Sequence, residues 1–333
     1  MFSNLTEKFK RKPLLFYAMS IAASWAGVGS MMNSITLTRT NGLVPSLIWG
    51  VGNSVACILF GVVAYHLPTL RGIMRTKAMR YIIGIMSIFQ LWINMNGIRE
   101  IFSDTIIGTT GGTIIVYTVC IGFIFMLLRF GMIRNVLTDS ASWYTVYALV
   151  ILLTTLAYAQ ANGTFTDISL GTDWPNLKVG LVKGFLLLPG PFTYPYFYEL
   201  LDYNDSNSDS TSVTDIKFSF VLGGLLFGFY MLFTYALATV EFSPALNLLK
   251  AVLVSLIGIS TISTFIYSEY IVFGKKIGLL IDSFAVLFWP MLISLGVMGV
   301  WTLMAEIRIY LIAGILMVAL FKKAVIRRKG VSA

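Results

Sequence analysis

Long apolar runs, separated by short polar or basic turns, make up most of the 333 residues. A helix needs about 20 apolar residues to cross the hydrocarbon core of a bilayer. By that measure about ten runs qualify: 14–37, 43–69, 79–103, 108–130, 139–160, 176–202, 215–240, 244–272, 277–301 and 304–323. The pattern predicts an all-α membrane protein forming one transmembrane domain over 1–333. Links are short, as in a compact bundle. The two longest, Ala161–Pro175 and Tyr203–Thr214, are rich in Asp, Ser, Thr or Asn and are expected to be mobile loops.

Composition agrees. The chain is 57% hydrophobic and 12% charged, about half the charge of a soluble domain, roughly 25%. The net charge of +9 does not point to nucleic acid, because the basic residues cluster between apolar runs. With the N-terminus inside, Lys8, Lys10, Arg11, Lys12, Arg71, Arg75, Lys77, Arg80, Arg129, Arg134, Lys217, Lys275, Lys276, Lys322, Lys323, Arg327, Arg328 and Lys329 fall on the cytoplasmic side. Arg39, Arg99, Lys178, Lys183, Lys250 and Arg308 remain for the outer side and span interiors. The positive-inside rule then puts both termini in the cytoplasm of a multi-pass cell-membrane protein, with an even number of spans. Cys57 and Cys120 fall inside apolar runs and read as small core residues. One histidine, His66, rules out His-rich metal chemistry and speaks against a catalytic triad. No span is seen to carry paired carboxylates. An enzyme is not expected, nor an organic cofactor, nor an obligate protein partner.

Two spans look interrupted. The first contains Ser20, Ser24, Gly27, Gly29, Ser30, Asn33 and Ser34. The sixth contains Pro189-Gly190-Pro191. Proline removes a backbone donor and clashes with the preceding turn, so the sixth helix should break. In lipid a broken backbone survives only against protein or a water-filled cavity. Spans 1 and 6 are equivalent if 14–160 and 176–323 are two five-helix repeats. Paired interruptions of that kind point to a transporter binding site. Close packing of small residues accounts equally well for span 1 taken alone.

The stretch Ser20-Ile-Ala-Ala-Ser-Trp-Ala-Gly-Val-Gly-Ser30, then Asn41-Gly-Leu, Trp49-Gly-Val-Gly and Leu67-Pro-Thr-Leu-Arg71, resembles the opening helices of the sodium:solute symporter family. Tyr117, Arg129, Arg134 and Thr138-Asp139 look like its fourth and fifth helices, and Ser260-Thr261-Ile-Ser263-Thr264 like its hydroxyl-rich eighth. The resemblance covers about 270 residues. It implies a LeuT-type 5+5 inverted repeat with broken helices 1 and 6, here in a short ten-helix form. It also implies Na⁺-coupled symport of a small organic solute by alternating access.

The family's sodium site takes two helix 1 carbonyls three residues apart, matched here to Ala23 and Ala26. From helix 8 it takes a carbonyl and then hydroxyls three and four residues later, matched to Ala251, Val254 and Ser255. Asp139 carries over as a coupling residue near the inner end of the ion path. Val254 departs from the pattern, because it has no side-chain oxygen. Lys250, beside Ala251 and inside an apolar run, could take the place of the cation, which would make the protein proton-coupled or uncoupled. It could equally snorkel to the outer interface.

The candidate solute site consists of Gly27, Gly29, Ser30, Trp49, Asn53, Gln90, Asn94, Pro189, Gly190, Phe192 and Tyr194. Gln90 and Asn94 either face a central cavity or hydrogen-bond between helices. Trp49 and Asn53, one turn apart, face the site or pack. Of the aromatic run from Phe192 to Tyr198, one or two residues are expected to gate the site.

Overall fold

The structure, a computed structural model, describes residues 13–129, 132–206, 213–294 and 297–328. Lys8, Lys10, Arg11, Lys12, Lys329 and part of the Tyr203–Thr214 link lie outside them, as do the side chains of Arg129, Arg134, Arg327 and Arg328. Among the described residues every regular element is helical. In chain order they are α1 (Pro13–Trp25), α2 (Val28–Asn41), α3 (Leu43–His66), α4 (Pro68–Met74), α5 (Lys77–Ile101), α6 (Gly108–Arg129), α7 (Met132–Ala161) and α8 (Trp174–Leu187). A 3₁₀ turn at Gly190–Thr193 follows, then α9 (Pro195–Ser206), α10 (Val213–Ala238), α11 (Pro244–Phe273), α12 (Lys275–Ser294) and α13 (Val297–Arg328).

Five of the described helical stretches are long and apolar enough to cross a membrane: Leu43–His66, Lys77–Ile101, Val136–Ala161, Ile216–Ala238 and Pro244–Phe273. The α1–α2 pair makes a sixth if taken as one span bent by 64°. Apolar side chains stand exposed along these helices, Val51, Ile85, Ile151, Leu225 and Phe229 among them. Water would not tolerate that belt, whereas lipid tails would. The protein is therefore an integral membrane protein.

Local chemistry sets the helix ends. Gly42, with φ of 101°, turns the chain between α2 and α3, and Gly274, at 79°, turns it between α11 and α12. Both conformations are cheap only without a Cβ. Ser243 caps α11 and Asp173 caps α8, each before a proline or a Trp-Pro pair in the first turn. The exposed Asp173 carboxyl is held below its ordinary pKa by the hydrogen bond from the Asn176 side chain, reinforced by the Asn176 backbone N–H.

Two packing groups result. In one, α10 lies against α1 and α3, and α3 against α8; in the other, α11 lies against α5 and α12. α7 touches both through α1 and α11. The α3–α8 seam is almost bare of side chains. A Cβ on Gly52 would meet the Gly184 backbone at 2.8 Å, and one on Gly180 the Pro45 backbone at 2.6 Å. Small residues let helix backbones approach this closely in membranes.

Candidate functional site

The break between α1 and α2 decides the chemistry of the centre. In an unbroken helix the Ala23 carbonyl would accept from Gly27 N–H, and the Ala26 carbonyl from Ser30 N–H. Instead Gly27 N–H bonds Trp25 O at 3.0 Å and Ser30 N–H bonds Gly27 O at 2.9 Å. Both alanine carbonyls are thereby released. The Thr261 hydroxyl of α11 lies against them, 3.4 Å from Ala23 O and 2.9 Å from Ala26 O. It also lies 3.1 Å from Ile257 O of its own helix. A hydroxyl carries one proton, so it cannot satisfy three carbonyls at once. Four oxygens thus converge on a buried spot that is short of donors, a setting that favours a cation.

The expected helix 8 ligands are elsewhere. Ser255 Oγ donates to Ala251 O at 2.7 Å, within its own helix. Ser255 and Ala251 lie six and ten residues before Thr261, about 9 and 15 Å along α11. The spacing of one carbonyl and then hydroxyls three and four residues on is present six residues further down, as Ile257, Ser260 and Thr261. Ser260, 1% exposed, has a hydroxyl with no hydrogen-bond partner. An oxygen stands where the earlier register left Val254. Lys250 is further away still. Its ammonium sits 4.7 Å from the centre of the Phe242 ring, in a different cavity, away from the oxygens that meet at Thr261.

A polar chain extends from this spot. Thr264 donates to Ser24 Oγ at 2.8 Å. Asp139, fully buried on α7, accepts from Ser20 at 3.0 Å and Ser263 at 3.1 Å. Ser20 lies 2.7 Å from the Tyr196 hydroxyl of α9. Asp139 therefore ties together α1, α7 and α11, with α9 one step away.

Beside Thr261 lies a cavity of about 170 Å³. Of the expected solute residues, Gly27, Gly29, Ser30, Trp49, Asn53, Gln90, Asn94 and Tyr194 line it. Asn94 has a structural task there. Its Oδ1 accepts the Val28 N–H at 2.9 Å and its amide donates to Gln90 O at 2.8 Å. It supplies the cap for α2 that Gly27, lacking a side chain, cannot. Asn53 is tied in too: its side-chain amide N–H donates to Trp49 O, and its main-chain carbonyl accepts from the Trp25 indole at 3.0 Å.

Pro189, Gly190 and Phe192 are not among the described lining. Gly190 lies under Trp25, whose ring a Cβ would meet at 2.3 Å. Phe192 packs on Phe60 at 5.2 Å between ring centres, in a cluster with Phe197, Tyr198 and Phe220. Beyond Tyr198, which lines a pocket with Arg75 and Asp202, lies the basic face of Arg71 and Arg75. There both arginines pair with Asp202. Toward the opposite face, a second cavity of about 330 Å³ shares Gly29, Asn33 and Ile93 with the first, and holds Glu100, Asp104 and Lys250.

Sequence reasoning missed three things here. Arg308 of α13, 5% exposed, lines the central cavity; its position inside span 304–323 was the available signal. Glu269 of α11 and Asp282 of α12 are both buried, one carboxyl on each of two helices packed together. Thr261, noted only as part of a hydroxyl-rich stretch, proves to be the residue that touches the helix 1 carbonyls. No protein-family model matches the chain, and no curated protein matches it either.

Proposed function

We propose that this chain is a secondary active transporter, a Na⁺-coupled symporter of a small organic solute working by alternating access. The observation that carries the proposal is the convergence of the freed Ala23 and Ala26 carbonyls on Thr261. With Ile257 O and the partnerless Ser260 hydroxyl beside it, this is a set of hard oxygen donors suited to Na⁺. The cavity lined by Gln90, Tyr194 and Arg308 shares Thr261 with the ion position, so ion and solute binding are coupled through one residue.

On this proposal the ten spans form a 5+5 inverted repeat. α1–α2 is the broken first helix, and α8, the 3₁₀ turn and α9 are its broken counterpart. The basic face is cytoplasmic and the larger cavity opens outward. Rocking of the α1, α3, α8 and α10 group against α5 and α11 would split the aromatic cluster and the Asp202 ion pairs, and so expose the site inward.

The test is the melting temperature of the detergent-purified protein in Na⁺ against choline. A ligand that binds only the folded state raises apparent stability by mass action, about 2.7 kcal/mol at one hundred times Kd. A saturable rise specific to Na⁺ is expected, and a flat response would count against sodium coupling. Proton coupling is the second reading, favoured by the buried carboxylate of Asp139. It predicts solute uptake into proteoliposomes that is driven by an inward proton gradient and lost in Asp139→Asn.

A further inference from the structure

We infer that Glu269 of α11 and Asp282 of α12 form a proton-binding site, a carboxyl pair that holds at least one proton between the two helices at neutral pH. Neither residue lines the central cavity. Glu269 stands eight residues after Thr261, about 12 Å along α11, so the pair is separate from the ion position.

The α11–α12 hairpin brings the two acids together. Gly274 turns the chain back, and a Cβ on Gly278 would meet the Glu269 carbonyl oxygen at 2.9 Å. Asp282 follows one turn later on the same face of α12. The Glu269 side chain leans toward the start of its own helix, which in an antiparallel pair is where Asp282 lies. The two carboxyls are close enough for their charges to interact. The buried Cys120 thiol of α6 lies within the field of Asp282.

Two negative charges would find no partner there. Glu269 is 0% exposed and Asp282 2%. Both Glu269 oxygens and Asp282 Oδ1 are buried without a hydrogen bond. The cations of the packed helices are engaged elsewhere. Arg80 of α5 donates to Ile271 O, Lys77 lies over the Tyr81 ring, Arg308 of α13 lines the central cavity, and Lys275 and Lys276 are exposed at the start of α12. Among the described residues none of them pairs with either acid. Tyr117 and Cys120 of α6, Glu199 of α9 near Tyr267, Asp139 of α7 on Ser263 and the exposed Glu306 of α13 bring no positive charge.

Two ionised carboxylates do not share a dry site unpaired. A metal ion would neutralise them, but among the described residues no three His, Cys, Asp or Glu side chains gather to hold one. A proton needs no further ligand. It turns one carboxyl into a donor for the other, so one bond satisfies two orphaned oxygens. Its loss would set like charges between α12 and the helix that carries Thr261.

The experiment reads the proton directly. Infrared spectra of the detergent-purified full chain are compared at neutral pH for the native protein and Glu269→Gln/Asp282→Asn, whose amides copy the protonated shape without titrating. The native protein should show the carbonyl band of a protonated carboxyl, shifted in D₂O, and the double variant should lose part or all of it. The part lost should survive in Asp139→Asn, which separates the pair from the other buried acid. Melting supplies the second readout. A folded state that keeps one proton released on unfolding loses stability as pH rises, up to about tenfold in the folding equilibrium per pH unit. The double variant should be flatter than native by that amount, and a cooperative transition shows that it is folded. If it does not fold, the two single variants, read by the same band, decide. A carboxyl band unchanged in the variants, or a pH slope equal to native, would overturn the inference. So would stabilisation of the native protein by K⁺ or Mg²⁺ that the double variant loses, which would put a metal ion in place of the proton.

Discussion

The two helix breaks differ in what they do with their backbone. At Pro189-Gly190-Pro191 the chain satisfies most of its own backbone, with Leu186 O left to Arg308 of α13. Leu188 N–H bonds Phe185 O, Phe192 N–H bonds Pro189 O and Tyr194 N–H bonds Pro191 O. The Thr193 hydroxyl closes on Gly190 O at 2.8 Å, and the segment packs under Trp25 and into the Phe60 cluster as a wall. Between α1 and α2 no proline is needed. Gly27, extended at φ −74° and ψ 171°, interrupts the ladder and leaves two carbonyls to another helix. The break most conspicuous in the sequence therefore shapes the site, while the inconspicuous one holds its chemistry.

Substitutions at the two breaks should separate these roles. The largest effect is expected for Thr261→Val, which keeps the shape of the side chain and removes its oxygen. Stabilisation by Na⁺ should fall by about 2 kcal/mol or more at fixed concentration, read as a lost shift in melting temperature. Gly190→Ala acts at the other break, where the new methyl meets the Trp25 ring. It should cost up to about 3 kcal/mol of stability, while the Na⁺ concentration giving half the melting shift stays within about twofold of native. A large change in that concentration would erase the distinction between the breaks.

Asn94→Ala leaves the Val28 N–H without its acceptor. A loss of about 2 kcal/mol is expected from one unsatisfied buried donor, together with weaker Na⁺ binding, because the orientation of α2 depends on that cap. Stability lost with Na⁺ binding unchanged would show that the cap does not position the ion site.

The smallest effect belongs to Asp173, outside the core. Its folded pKa is depressed, so the contribution of the cap is present above the unfolded aspartate value of 3.8 and is lost as pH falls through the lower folded value. Asp173→Asn should therefore narrow the stability difference between neutral and strongly acidic buffer slightly, measured as melting temperature against pH. The Na⁺ response at neutral pH should not move.

The helices were legible in the sequence because a run of some 20 apolar residues has few other uses. Which face of each helix meets protein and which meets lipid was not. Lipid and core are both apolar, so the periodicity that marks the buried stripe of a soluble helix fades. On α11 hydroxyls recur at Ser255, Ser260, Thr261, Ser263 and Thr264. Spacing alone fits more than one register, and the register is set only where α1 breaks and crosses. Gly27, Gly29, Trp49 and Gln90, named from the sequence, line the cavity; the first two flank the α1–α2 break, while Trp49 lies on α3 and Gln90 on α5. Arg308 escaped because it lies on α13, far along the chain from either break. Glu269 and Asp282 escaped because each is a single acid in its own span, and only the fold of α12 back onto α11 makes them neighbours.

The bare seam between α3 and α8 bears on how the molecule can be followed in motion. Gly52 on Gly184 and Gly180 on Pro45 leave no side chain between the two backbones to act as a bearing. Sliding would drive main chain into main chain, so the pair behaves as one stiff strut. Spectroscopic labels at the ends of α3 and α8 would keep a constant separation through the rocking motion proposed above. That distance is a built-in ruler against which the swing of α5 or α11 can be gauged.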